Sequence, residues 1–357
     1  MPTIRNVRAC QPVDQNSPDD WRTSIGQILV AIDTDNGLTG FGVGGGGRAG
    51  LHVIDTVLKD LLIGRPVETV EDHWKNLSNA ILPFGPEGIA TMALSGLDLA
   101  LWDIRGKLAN QPIATLLNSE VNLAQPIPIY QTVWENVPED VAQGNCSVKL
   151  HLGESTSKGL STSKLVDQLV KKVERAREAI GPNRKLMVDA WMKWDLETTL
   201  RFAAQAEPYR LEWIEEPLPL NDRDGYATLS RECPIPIAGG EHVFTANQFQ
   251  SIIEHRLQTI LQPDVCWVGG LTELVKIYEM AKQPGFRVIP HRGAELWSLH
   301  AIAALSEQPL AESGRPWMSW VGGQPKVTQG TIQLLKRPGL GVDIDESLFS
   351  AKTTIQL

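Results

Sequence analysis

The stretch KLMVDAWMKWDLETTLRFAAQAEPYRLEWIEEPLPL, residues 185–220, decides the fold. Two short apolar runs, 185–189 and 211–215, each end on an acid and flank a segment of helical periodicity. That is the pattern of a strand, a crossover helix and a parallel strand. The unit repeats in both directions. Apolar runs at 127–132 and 147–152 precede it, and runs at 235–238, 259–262 and 286–290 follow it, with amphipathic stretches between them. Right-handed crossovers repeated this often close most economically into a (β/α) barrel of seven or eight units, a TIM-type barrel within the α/β class.

The opening of the chain reads differently. Residues 3–8, 26–33 and 38–43 alternate like antiparallel strands, with a hairpin signal at Asp35-Asn36-Gly37. Residues 50–110 turn helical, most clearly over 90–108. We therefore expect an α+β capping domain over residues 1–124, a barrel over 125–324, and a final segment, 325–357, that returns over the cap. The loops 16–21 and 44–50 are expected to close over the barrel mouth. The run GVGGGG that leads into the second loop also resembles a phosphate-binding glycine pattern, but it does not sit in a βαβ unit, so a flexible lid is the preferred expectation.

Composition narrows the function classes. With 42% hydrophobic residues the chain can bury a large core, and its formal net charge of -9 carries no basic block suited to nucleic acid or an anionic bilayer. No apolar run is long enough to span a membrane, and the start MPTIRNVRACQPVD lacks the apolar centre of a secretory signal. A cytoplasmic protein with no nucleic-acid or membrane partner is expected. The four cysteines are widely spaced with no CxxC, so they read as reduced, buried fillers rather than a disulfide or thiolate-metal framework.

The chemistry lies in the placing of acids. Asp189, Glu215 and Glu241 follow one another at intervals of 26 residues, about one strand-plus-helix unit each. They therefore fall at the C-terminal ends of successive strands, on the rim where barrel active sites are built. Three oxygen donors converging there suit a hard divalent cation, Mg²⁺ in preference to Ca²⁺. Asp264 and His291 continue the series at the next two strand ends, where a carboxylate fixes the tautomer of an imidazole and raises its basicity. His291 is the expected base. On the other side of the rim Lys149 and His151 share one face of the run VKLHL, and either can line the pocket. Glu312 is placed to end the eighth strand near the metal. Trp21, Arg22 and Arg48 are candidates to meet substrate from the cap. Glu216 and His242 read either as groups that orient ligands or as packing, and Trp191, Trp194, Trp213 and Trp267 as barrel-wall aromatics.

The succession MVDAWMKWD, WIEEPLP, GGEH, QPDVCWVGGLTE and PHRGAELWSLH resembles the enolase superfamily, mandelate racemase subgroup. It is most similar to its L-rhamnonate dehydratase-like acid-sugar dehydratases. The stretch SGLDLALWDIRGK (95–107) resembles the helix joining that family's cap to its barrel. The resemblance implies that Asp189, Glu215 and Glu241 bind one Mg²⁺, that Asp264 and His291 form the dyad, and that the chain assembles as a symmetric homo-oligomer. The chain departs from the subgroup's Lys-x-Lys by reading Lys149-Leu150-His151, which disfavours a lysine-based two-base racemisation. It also reads PHRG where those dehydratases read close to PHGS, making Arg292 a candidate substrate contact.

Elementary chemistry leads to the same reaction class. Histidine removes a proton α to a carboxylate only if the resulting dianion is strongly stabilised, which a divalent cation does. A β-hydroxyl protonated by the same imidazole then leaves, giving a 2-keto-3-deoxy acid from a small-molecule acid sugar. A racemase or epimerase sharing the enolate step is the alternative.

Overall fold

The computed structural model describes residues 2–12, 25–153, 160–283, 285–313 and 318–350. Trp21, Arg22 and the whole of the loop expected at 16–21 lie outside the described residues.

Strands β1 (Ile4–Cys10), β2 (Ile28–Thr34) and β3 (Thr39–Gly44) form an antiparallel sheet in that order. Gly37 closes the β2–β3 hairpin at a φ of 86°, a conformation that costs glycine nothing. Helix Ile89–Leu108 packs on this sheet and is buried along most of its length, and helix Val70–Ile81 packs against it in turn.

The glycine-rich run corrects an expectation. Residues 44–50 are not a lid: they form the end of β3 and the first turns of a short helix, Gly47–Val53. Gly40, Gly42 and Gly44 lie on one face of β3 because strand side chains have period 2. A Cβ at any of the three would collide with the backbone of helix Ile89–Leu108. The glycines admit a close-packed helix, and the phosphate-loop reading falls with the lid.

Eight parallel strands make the second body: β4 (Ile127–Trp134), β5 (Ser147–His151), β6 (Leu186–Asp189), β7 (Leu211–Glu215), β8 (Ile237–Gly239), β9 (Ile260–Leu261), β10 (Arg287–Val288) and β11 (Ala311–Ser313). β4 to β10 pair in chain order, and β11 pairs with β4 at the other edge. The Ala294 N–H donates to the Glu312 carbonyl at 2.8 Å, tying the chain after β10 to β11. Helices connect successive strands, and Tyr130, Met187, Trp213, Ala238, Ile260, Ile289 and Leu310 fill the interior. This is the expected α/β barrel under an α+β cap.

After β11 the chain runs back. Thr331–Ile332 pairs antiparallel with the start of β4, Gly339 bridges Pro112, and Glu346 forms an ion pair with Arg8 of β1 at 2.6 Å. No helix among the described residues is long and apolar enough to cross a membrane.

Candidate active site

Register builds the site. Trp134, His151, Asp189 and Glu215 are successive partners across β4, β5, β6 and β7, one row at the C-terminal ends of four strands. One pair further down, Thr132 and Lys149 share a row. Glu312 reaches in from β11, where Thr132 Oγ1 donates to its Oε1.

Lys149 is fully buried, with Nζ 2.7 Å from Glu215 Oε1, 3.1 Å from Glu312 Oε1 and 3.9 Å from Asp189 Oδ2. Burial alone would lower its pKa, but the surrounding carboxylates outweigh that and hold it well above the ordinary lysine value. Glu215 also accepts from Gln262 Nε2 (2.7 Å) and Trp213 Nε1 (3.2 Å). Burial, together with the charges of Asp189, Glu312 and Glu241, pushes its pKa up to about 7 against the pull of Lys149. Several carboxylates crowded out of water around one ammonium are short of positive charge.

Asp189 accepts from the Trp191 backbone N–H on Oδ1 at 2.9 Å, and its Oδ2 lies 2.9 Å from His151 Nδ1. His291 is buried between two acids. Nδ1 is 2.8 Å from Asp264 Oδ2 and Nε2 is 2.9 Å from Glu241 Oε2. Asp264 is held in turn by the Cys266 N–H at 2.8 Å. Nδ1–H donating to Asp264 leaves Nε2 as the basic nitrogen, aimed at the acidic cluster. Next door, Glu216 accepts from the Gly240 N–H, and its Oε2 lies 2.8 Å from His242 Nδ1. The pKa of His242 rises to about 9, because Glu241 and Glu216 outweigh its burial.

Among the described residues the tightest set of ligand atoms, all within 4.8 Å of one another, is Glu216, Glu241 and His242 rather than Asp189, Glu215 and Glu241. Asp189 is turned toward His151, and Glu215 toward Lys149 and Gln262. The latter three acids are nonetheless a purely oxygen donor set on adjacent strand ends, in a place short of positive charge, and they fit a hard divalent cation.

Two sequence expectations meet a different geometry. Arg292 is buried, and its guanidinium binds Glu295 through Nε and Nη2 at 2.8–3.2 Å. With the Gln27 amide donating to the Gly44 carbonyl, the Gln27 oxygen accepts from Arg292 Nη1, so this head joins barrel to cap. The Arg292 backbone N–H donates to Glu312 Oε2 at 2.9 Å. Arg48 is exposed on the helix Gly47–Val53.

Residues 133–348 match the enolase C-terminal domain-like model, and residues 20–118 match the N-terminal domain of mandelate racemase / muconate lactonizing enzyme. The chain belongs to this mandelate racemase family of the enolase superfamily. It is 31% identical over 335 residues to an L-rhamnonate dehydratase of Saccharopolyspora erythraea, covering 90% of this chain and 84% of that one. Its fold is similar to that of L-rhamnonate dehydratase from Gibberella zeae, with TM-score 0.86 and 25% identity over 99% of this chain and 96% of that chain. It is also similar to a racemase from Streptomyces coelicolor A3(2) with bound magnesium, with TM-score 0.85 and 27% identity over 99% and 100% of the two chains.

Within this mandelate racemase family member, the sequence reading missed Gln262, Trp134 and Gln27. Gln262 lies two residues before Asp264 in the same motif, a signal that was open to reading. Gln27 carries no local signal, because its importance comes from Arg292, far away in the chain.

Proposed function

We propose that the protein is a Mg²⁺-dependent acid-sugar dehydratase. It would remove the proton α to the carboxylate of an aldonic acid and eliminate water to a 2-keto-3-deoxy acid. The observation that carries this reading is His291, fixed by Asp264 at Nδ1 and presenting Nε2 to the cluster of Glu241, Glu215 and Asp189. The relatives named as rhamnonate dehydratases support the substrate class, and the magnesium-bound racemase supports the cation.

Asp189, Glu215 and Glu241 would hold the Mg²⁺. When bound, it supplies positive charge for the substrate carboxylate as its α-carbon loses a proton. The chain's own residues do the rest. His291 Nε2 takes the α-proton, and Asp264 stabilises the imidazolium that forms. The imidazolium then returns that proton to the leaving β-hydroxyl, and the released enol ketonises. Lys149 adds a fixed positive charge beneath the carboxylate cluster. Glu312 holds Lys149 and the Arg292 N–H, so it fixes the turn that follows His291. The reading keeps the protein cytoplasmic, in line with four free cysteines, and a homo-oligomer by its family resemblance.

His151 keeps a second reading in view. It ends β5 whereas His291 follows β10, a different strand end of the same rim, so a racemase or epimerase using both faces of the α-carbon is the rival. Incubation with Mg²⁺ and a panel of aldonic acids, with 2-keto acid detected by semicarbazide, tests the first reading. Exchange of the α-proton with solvent deuterium but no keto acid would favour the second.

A further inference from the structure

The mouth of the barrel is not lined evenly. On β4 the inward positions are Tyr130, Thr132 and Trp134, and on β5 they are Lys149 and His151, by the period of 2. Tyr130 belongs to the apolar interior, Thr132 binds Glu312, and Trp134 emerges at the rim with 42% of its surface exposed. Its ring centroid lies 5.9 Å from that of His151. On the other side of His151, the ring of Trp191 lies at 6.1 Å. Two indoles therefore bracket one imidazole across three successive strand ends, and that imidazole lies against Asp189.

Trp191 is placed there against local preference. Its φ is 45° and that of Met192 is 61°, a left-handed pair that bulky L residues rarely adopt. The turn is pinned by the Trp191 N–H on Asp189 Oδ1 and by the Met192 N–H on the Glu216 carbonyl at 2.6 Å. Gly153 makes room for it, since a Cβ there would stand 2.8 Å from the Trp191 Cβ. Strain of this kind, held by surrounding bonds at the lip of a polar site, is characteristic of residues kept for function.

We propose that Trp134 and Trp191 form an aromatic shelf that binds the carbons of the substrate distal to the reacting end, and so sets the chain length the enzyme accepts. The inference rests on the acid-sugar reading for the identity of the ligand. With the carboxylate at the acids of β6 to β8, the remaining carbons extend toward the mouth. There the C–H bonds of a polyol chain meet the electron-rich faces of the indoles, while its hydroxyls remain hydrated on the open side. Binding energy gathered on these remote carbons is available to orient the reacting ones. A hydroxy acid too short to reach the shelf gains nothing from it.

The test is the dependence of affinity on chain length, measured by calorimetry in the presence of Mg²⁺ with glycolate, glycerate and gluconate as probes. In the unmodified protein gluconate should bind more tightly than glycolate. Trp134→Ala and Trp191→Gly should each weaken gluconate about tenfold while leaving glycolate unchanged. Glycine is chosen at position 191 because it accepts the positive φ and so keeps the turn. Unchanged thermal melting and unchanged Mg²⁺ affinity identify folded variants. Equal weakening of glycolate and gluconate, or no weakening of either, would overturn the shelf. Because binding is the readout, the result stands apart from the keto-acid assay. Failure of turnover on every acid sugar would overturn the dehydratase reading and leave the chain-length comparison to decide the shelf.

Discussion

At Lys149 a buried ammonium offsets the carboxylates of Glu215, Glu312 and Asp189. Removing one partner of a buried ionic group leaves the others uncompensated, at a cost of about 3–5 kcal/mol. Lys149→Met should therefore lower stability by about that amount in EDTA. It should lose less in Mg²⁺, because the cation takes over part of the neutralisation. Denaturant unfolding under the two conditions measures the difference, and equal losses would argue against a cation at this cluster. For His291 the expectation is kinetic. His291→Asn keeps a side chain of similar reach but no base, and should reduce keto-acid formation by about 10²–10⁴-fold with the fold intact. The residues behind both predictions were legible in the sequence because each ends a strand or shares its face, and strand ends recur at regular intervals. Arg292 was not. Glu295 stands only three residues on, but nothing near Arg292 announces Gln27, which stands in the cap, hundreds of residues away.

Among the elements, the helix Leu296–Leu305 carries His300, whose ring accepts the Ala114 N–H at Nδ1 (3.2 Å) and donates from Nε2 to the Leu340 carbonyl (3.1 Å). Accepting at Nδ1 needs the neutral ring, and burial lowers its pKa to about 4 against the pull of the Leu340 carbonyl. The unfolded chain binds this proton near pH 6.5 and the folded one only near pH 4. The contribution of His300 is therefore intact above pH 6.5 and is lost as pH falls from 6.5 toward 4, by up to about 1.4 kcal/mol per pH unit. Urea unfolding across this window should show a shallower acid loss in His300→Gln than in the unmodified protein. A parallel slope would remove His300 as the cause. A second element-level case is the helix Leu271–Met280. Its N-cap is Gly270, which has no side chain, and Asp98 of helix Ile89–Leu108 accepts from the Thr272 N–H and hydroxyl instead. Asp98→Ala should cost about 1–2 kcal/mol, as the loss of a cap does, read as a lowered melting temperature. The periodicity of helix 89–108 was plain in the sequence, but its partnership was not. The glycines of β3 looked like a mobile loop because a glycine run reads the same whether it admits a helix or a ligand.

Across the whole molecule, cap and barrel meet at the loop that carries Asp264. Trp74 Nε1 donates to the Gly269 carbonyl (2.7 Å), and the Gly269 N–H donates to Ser95 Oγ (2.9 Å), so both backbone groups of one rim residue are held by cap helices. Asp264 starts that loop. The cap thus positions half of the dyad, although His291 and Asp264 both belong to the barrel. The alternation of strand and helix carried the barrel, and the regular acids carried its rim, so the sequence reached the site through local periodicity. It missed the contacts between bodies because those depend on tertiary approach. The central claim is that strand-terminal acids hold the Mg²⁺ on which proton abstraction by His291 depends. Its most direct test is keto-acid formation from an aldonic acid by enzyme dialysed against EDTA and then titrated with Mg²⁺. The account predicts no turnover after dialysis, full recovery on adding Mg²⁺, and no recovery in Asp189→Ala. Undiminished turnover in EDTA would contradict it.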